Sequence, residues 1–331
     1  MSRSPRPPVA HVCGGLSPSI RRITVQRLML TYSVASRSPP RGLFEGQNTN
    51  TFALDLYIPF GEAGTTATSA SLTAYGIPRR PDPVKEPVLR ALWDKMFAKK
   101  PTFIEARLVV DTVWHSRPRH QRGQFGLAGN RAGAVVETAS LGFNPPQPAN
   151  MIFAEWKVPV ITPTGEPGTQ IVGFRVGLGG YGTSQLLQAG AAATITGNSV
   201  SYWAWTGWVP AGYKVDNLEI QAGDTVSVLV CAPESDHGYV SMMNQRASQA
   251  ISVGVTDPQG TTPYDGSSVE WIIEAVNTEM PDFGSVTFTR LAAGTQNHTI
   301  NLAKAFTVNT IAGGTMLAAQ NEVEVIWNAA I

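Results

Sequence analysis

Cysteine is nearly absent from this chain of 331 residues, which has only Cys13 and Cys231. Two thiols so far apart imply no disulfide framework, which excludes a small fold held by cross-links. Cys231 ends the strand-like run Val226-Ser227-Val228-Leu229-Val230-Cys231 and reads as a small core residue. Charge is scarce too, at 15% Asp, Glu, Lys and Arg. That argues against long charge-faced helices, whereas 32 Gly and 24 Pro supply the turns that many short strands need. No apolar run approaches the roughly 18 residues of a transmembrane helix, so a soluble protein with no membrane partner is expected. His115, His120, His237 and His298 lack metal-ligand spacing, and no metal or other cofactor is expected. Near the start, Arg21-Arg22 and the short run Leu28 to Ala35 fall below the signal-peptide pattern, and residues 1–48 read as a disordered leader.

The hydrophobic share of 43% is enough for a full core, in one large domain or two ordinary ones. A formal net charge of +1 conceals an asymmetry. Up to residue 128 there are 18 Lys and Arg against 8 Asp and Glu, a net +10; the remainder has 7 against 16, a net −9. A basic tail preceding an acidic domain and a basic prosegment lying on an acidic catalytic domain both fit this pattern. The basic residues are scattered with no aromatic-interleaved module, so no nucleic-acid partner is expected.

Residues 49–127 read as an N-terminal extension. Within it Leu89, Leu92, Trp93, Met96 and Phe97 recur at the spacing of one helix face, with Pro87 in the first turn and Pro101 as a stop, predicting one amphipathic helix near 86–99. A helix this short is marginal alone, so its apolar stripe must dock, either as part of a prosegment or as permanent structure. From about Phe103 onward strand patterns alternate with turn signals. Ile152 to Val158, Ile171 to Val176, Thr225 to Val230, Val286 to Thr289 and Val323 to Trp327 are the clearest, and their spacing predicts an all-β sandwich.

Strand alternation also separates faces. Glu270, Ile272, Glu274 and Val276 point one way, and Val269, Trp271, Ile273 and Ala275 point to the core side. Two acids flanking an isoleucine describe either a cleft wall or a solvated strand face. Other constellations carry less. Gly177-Leu178-Gly179-Gly180-Tyr181-Gly182 has no helix after it to cradle a phosphate, and Ser235-Asp236-His237 is a turn, since triad groups converge from separate segments. Asn297-His298-Thr299 is a glycosylation sequon.

An ordered series of short words gives the chain its sharpest signal. Asn130-Arg131-Ala132-Gly133-Ala134 is followed by Trp156-Lys157-Val158-Pro159, Val176-Gly177-Leu178-Gly179-Gly180 and Leu187-Gln188-Ala189-Gly190. Then come Trp205-Thr206-Gly207-Trp208-Val209-Pro210, Ile220-Gln221-Ala222-Gly223-Asp224, Val269-Glu270-Trp271-Ile272-Ile273-Glu274 and Pro281-Asp282-Phe283-Gly284. The series resembles the glutamic peptidases, also called eqolisins or the peptidase G1 family, over about residues 128–331. That resemblance implies two antiparallel sheets packed as a concanavalin-like or lectin-like jelly roll, with the active site on the concave sheet. It implies catalytic roles for Gln188 and Glu274 and a substrate-binding role for Trp205; Arg175, which departs from the family, and Glu270, on the face of Glu274, are expected to bind substrate beside them. It further implies an acid-acting, exported endopeptidase that cleaves polypeptides as a monomer, preceded by a removable or docked extension. A non-catalytic sandwich binding peptide or carbohydrate on the same face is the alternative. Several positions depart from the family: Arg175 and Arg131 stand where it has tryptophans, Gly179 where it has an aspartate and Gly207 where it has a glutamate.

Overall fold

The computed structural model describes residues 80–84, 87, 90–91, 93–94, 101–110 and 131–327, apart from short gaps at 145, 164, 166–167, 184, 233–234, 258–263, 276–279, 309–312 and 320–321. The leader, most of the extension, Cys13 and Val276 therefore lie outside the described residues. So does the predicted helix as a complete element, although Pro87, Arg90, Ala91, Trp93 and Asp94 have helical backbone and Trp93 is buried.

Among the described residues, sixteen strands form two sheets of eight. The first sheet contains β1 (Thr102–Phe103), β4 (Ala149–Lys157), β9 (Thr225–Cys231), β10 (His237–Asn244), β11 (Gln249–Thr256), β13 (Ser285–Thr295), β15 (Gly313–Ala319) and β16 (Glu322–Trp327), ordered β1-β11-β10-β9-β4-β13-β16-β15. The second contains β2 (Leu108–Val110), β3 (Arg131–Glu137), β5 (Thr169–Gly179), β6 (Leu186–Thr196), β7 (Ser199–Trp208), β8 (Ala211–Val215), β12 (Ser268–Ala275) and β14 (Phe306–Val308), ordered β14-β3-β12-β5-β6-β7-β8-β2. Every described pairing is antiparallel except β1 on β11. Four of the five strand segments expected from the sequence fall wholly inside observed strands, and the fifth, Ile152 to Val158, overruns the end of β4 at Lys157 by one residue; period-2 alternation with turn residues at each end is a local signal.

The core lies between the sheets. From the second sheet it takes Val172, Phe174, Val176 and Leu178 of β5, Leu187, Ala189, Ala191 and Ala193 of β6, and Val269, Trp271 and Ile273 of β12. From the first it takes Ile152, Ala154 and Trp156 of β4 and Val226, Val228 and Val230 of β9. These are alternate residues, as a pleated strand requires. Trp156 packs against Phe288 with ring centroids 5.2 Å apart, and the Trp271 indole N–H donates across the sandwich to the Phe153 carbonyl at 3.3 Å. Each fully buried side chain of this size contributes about 1.5–3 kcal/mol relative to exposure. The expected division of β12 is present, with Val269, Trp271, Ile273 and Ala275 all in the core.

A polar knot ties the turn before β9 to the end of β4. The buried Asp224 carboxylate accepts from the Gln221 amide at 2.8 Å, from Asn244 Nδ2 at 2.7 Å and from Arg246 Nε at 2.5 Å. Its own carbonyl accepts from Val158 N–H at 2.8 Å. Burial pushes the Asp224 carboxyl up, but the hydrogen bonds from Arg246, Gln221 and Asn244, together with the Arg246 charge, outweigh burial and hold it below its ordinary value. A depressed folded-state value adds stability above the unfolded carboxylate range, near pH 4, and that stability is lost as pH falls through the folded value. Asp224→Asn is expected to cost about 1–3 kcal/mol at pH 7. Urea midpoints taken at pH 7 and again at pH 2 should show the gap to the wild type closing in acid.

Candidate active site

The ladder registers of the second sheet place the candidate residues without ambiguity of face, because directly opposed residues in an antiparallel pair lie on one side. Glu270 opposes Gly177, Gly177 opposes Gln188 and Gln188 opposes Gly207. The next row along that face is Ile272, Arg175, Gly190 and Trp205, and the one after is Glu274, Gly173, Ala192 and Trp203. All lie away from the core face, so Gln188, Glu270, Glu274, Arg175 and Trp205 share one surface of one sheet. Gln188 is in register with Glu270. Strand spacings of about 4.8 Å put their Cα atoms about 10 Å apart, and Glu274 is a further 13 Å or so along β12.

Charges on this face alternate in a continuous line. Arg131 Nη2 lies 2.9 Å from Glu274 Oε1, Arg175 Nε lies 3.4 Å from Glu274 Oε2, and Arg175 Nη1 lies 2.8 Å from Glu270 Oε2. Arg131 comes from β3, where it opposes Glu274 directly. All four are buried, Arg175 completely and Glu270 to 1% exposure. A cleft wall open to water or a solvated strand face would leave such acids exposed; here they are enclosed and paired. Burial works against protonation of Arg131, but attraction to Glu274, then to Glu270, and the hydrogen bond with Glu274 leave its pKa raised. A Cβ on Gly177 would come within 2.8 Å of Arg175 Nη1, so the missing side chain is what gives the guanidinium its room. Gln188 Oε1, Glu270 Oε1 and Arg175 Nη2 are buried and accept or donate no hydrogen bond among the described residues.

Apolar surface adjoins this line. Trp205 and Trp203 pack with Ile171 and Ala192 in a small cluster on the same face, separate from the main core. Trp208 is on the other face, buried in the core, where its indole N–H donates to Gln185 Oε1 at 2.7 Å and its ring meets Tyr264 edge-on at 6.0 Å. Among the described residues no group of three or more His, Cys, Asp and Glu is placed to hold a metal. The pairing of Arg131 with Glu274 escaped the sequence reading. Its one signal was that Arg131 and Arg175 both stand where the resembled family has tryptophan.

The other two departures have steric reasons. Gly179 has φ +77°, and a Cβ there would sit 2.2 Å from the Gln185 carbonyl oxygen. At Gly207 a Cβ would sit 2.4 Å from the Ala211 carbonyl oxygen, where β7 and β8 approach closely. Neither backbone accepts the acidic side chain of the family without shifting. Gly179→Asp and Gly207→Glu are each expected to cost about 1–3 kcal/mol through strain, read as a lower urea midpoint. Unchanged midpoints would mean that the backbone at these points yields without cost.

The two antiparallel sheets form the sandwich that the resemblance to the glutamic peptidases implied. The model of the family described as "Peptidase A4 family" matches residues 129–325, and the chain belongs to that family. Aspergillopepsin-2 of Aspergillus niger is 27% identical over 140 residues, covering 40% of this chain and 49% of that protein. The chain thus spans about half the length of this curated relative. The crystal structure of scytalido-glutamic peptidase with a transition state analog inhibitor superposes with a TM-score of 0.51 at 18% identity, over 60% of this chain and 98% of the other. A second structure of that peptidase, with a peptide based transition state analog, gives 0.50 at 17% identity over the same shares. These likenesses extend to the fold.

Proposed function

We propose that this chain is an acid-acting endopeptidase in which Glu274 and Gln188 activate water against a peptide bond, with no covalent intermediate. The observation that carries the reading is that both side chains project from the same face of one sheet, within the region matched by the family. Ionised Glu274 takes a proton from water as the water oxygen bonds to the scissile carbonyl carbon, and the Gln188 amide donates to the oxygen that gains charge. The carbon–nitrogen bond then breaks, and Glu274 returns the proton to the amine nitrogen. Trp205, with its apolar neighbours, would hold a substrate side chain, and Arg175 and Glu270 would hold polar parts of the peptide. An acid working range fits export to an acidic medium, with the extension over residues 49–127 as a prosegment. The test is hydrolysis of an unfolded protein between pH 2 and 7, comparing wild type with Glu274→Gln and Gln188→Ala.

One observation favours a second reading. The Arg175 guanidinium lies over Gly177, in the row between Glu270 and Gln188. A face so filled would bind a peptide or carbohydrate without turning it over. A wild-type chain inert throughout that pH range, yet binding a ligand by calorimetry, would decide for it.

A further inference from the structure

Both oxygens of Glu274 are claimed by arginines from the two neighbouring strands, Arg131 of β3 on Oε1 and Arg175 of β5 on Oε2. Guanidinium stays charged over the whole range of protein conditions. A carboxylate removed from water with no partner sheds its charge by taking up a proton, whereas one flanked by two fixed cations keeps it. Among the described residues, Glu274 pairs with Arg131 from β3 and with Arg175 from β5, and Glu270 on its own strand shares Arg175. Two cations against two anions leave the line neutral, so Glu274 is not left to balance a surplus. A carboxylate has about four lone-pair sites. One ion pair on each oxygen fixes the direction in which those lone pairs point.

We infer that Arg131 and Arg175 are positioning residues that clamp Glu274 from two sides, fixing the direction of its carboxylate and keeping it ionised in acid. Arg131 is the more specific half of the clamp, because its ion pair is with Glu274 alone, while Arg175 also holds Glu270. The inference rests on the peptidase reading for its meaning, but the clamp is observable without turnover.

The experiment follows the glutamate carboxyl carbons of the full chain, 13C-labelled, by NMR through an acid titration, with Glu274→Gln assigning the resonance of interest. Arg131→Gln is expected to raise the Glu274 midpoint by about one to three pH units, and Arg131→Lys to restore much of it. Should Arg175→Gln fail to fold, Arg131→Gln, altering the more exposed partner, still decides. If hydrolysis is present, the acid limb of kcat/KM should move by the same amount, with KM changing far less than kcat. A Glu274 midpoint unmoved in Arg131→Gln overturns the clamp. An inert wild type whose Glu274 midpoint nonetheless moves in Arg131→Gln upholds the clamp and removes the peptidase reading; hydrolysis abolished by Glu274→Gln beside an unmoved midpoint does the reverse.

Discussion

Glu274→Gln is expected to lower peptide hydrolysis by about 10² to 10⁴-fold, the usual worth of a positioned general base. The glutamine keeps the size and shape of the side chain, but its single oxygen can accept from only one of the two arginines, so a urea midpoint measured beside the rates separates the missing base from the missing ion pair. Gln188→Ala is expected to remove about 10² to 10³-fold, the worth of one oxyanion donor. It deletes a side chain whose oxygen makes no hydrogen bond among the described residues, so its structural cost is small. Glu270→Gln supplies the comparison that register demands, because Glu270 shares a row with Gln188. Initial rates on a quenched-fluorescence peptide across the acid range would rank the three. A Glu270→Gln variant that loses more than Glu274→Gln would move the role of base to Glu270.

The largest effect on stability is expected from Arg175→Met. Removing one member of a buried ion pair leaves charge with no partner, at about 3–5 kcal/mol, and Arg175 serves two carboxylates while fully enclosed. Methionine fills much of the vacated volume, so the loss is chiefly electrostatic. Its sign with pH follows directly. A buried carboxylate that has lost its cation destabilises the fold only through its charge, and acid removes that charge by protonation. The deficit against wild type should therefore be greatest at neutral pH and shrink as pH falls, as measured by chemical denaturation at pH 7 and pH 4. A deficit independent of pH would mean that Arg175 acts by packing.

Much of the fold was legible because its signals are local. The alternation in Val269 to Ala275 told core side from site side before any strand was paired, and it did so because successive side chains of a strand point oppositely whatever lies beside them. The same alternation in β7 sets Trp208 in the core and Trp203 and Trp205 on the opposite face. Burial of the acids was not legible: a polar residue on the non-core face reads as solvated until the cations that enclose it are known. Those cations come from β3 and β5, more than 95 residues before Glu274 in the case of Arg175.

The sequence by itself determined the all-β class, the core face of β12 and the family, and it singled out Gln188 and Glu274 as candidates; each is carried by a short word or a period of two. Only the tertiary structure decided that β12 lies between β3 and β5, that Gln188 stands level with Glu270, and that Arg131 and Arg175 close on Glu274 from both sides. Register between strands is a property of pairing over long separations, and a slip of one residue would turn every one of these side chains to the opposite face.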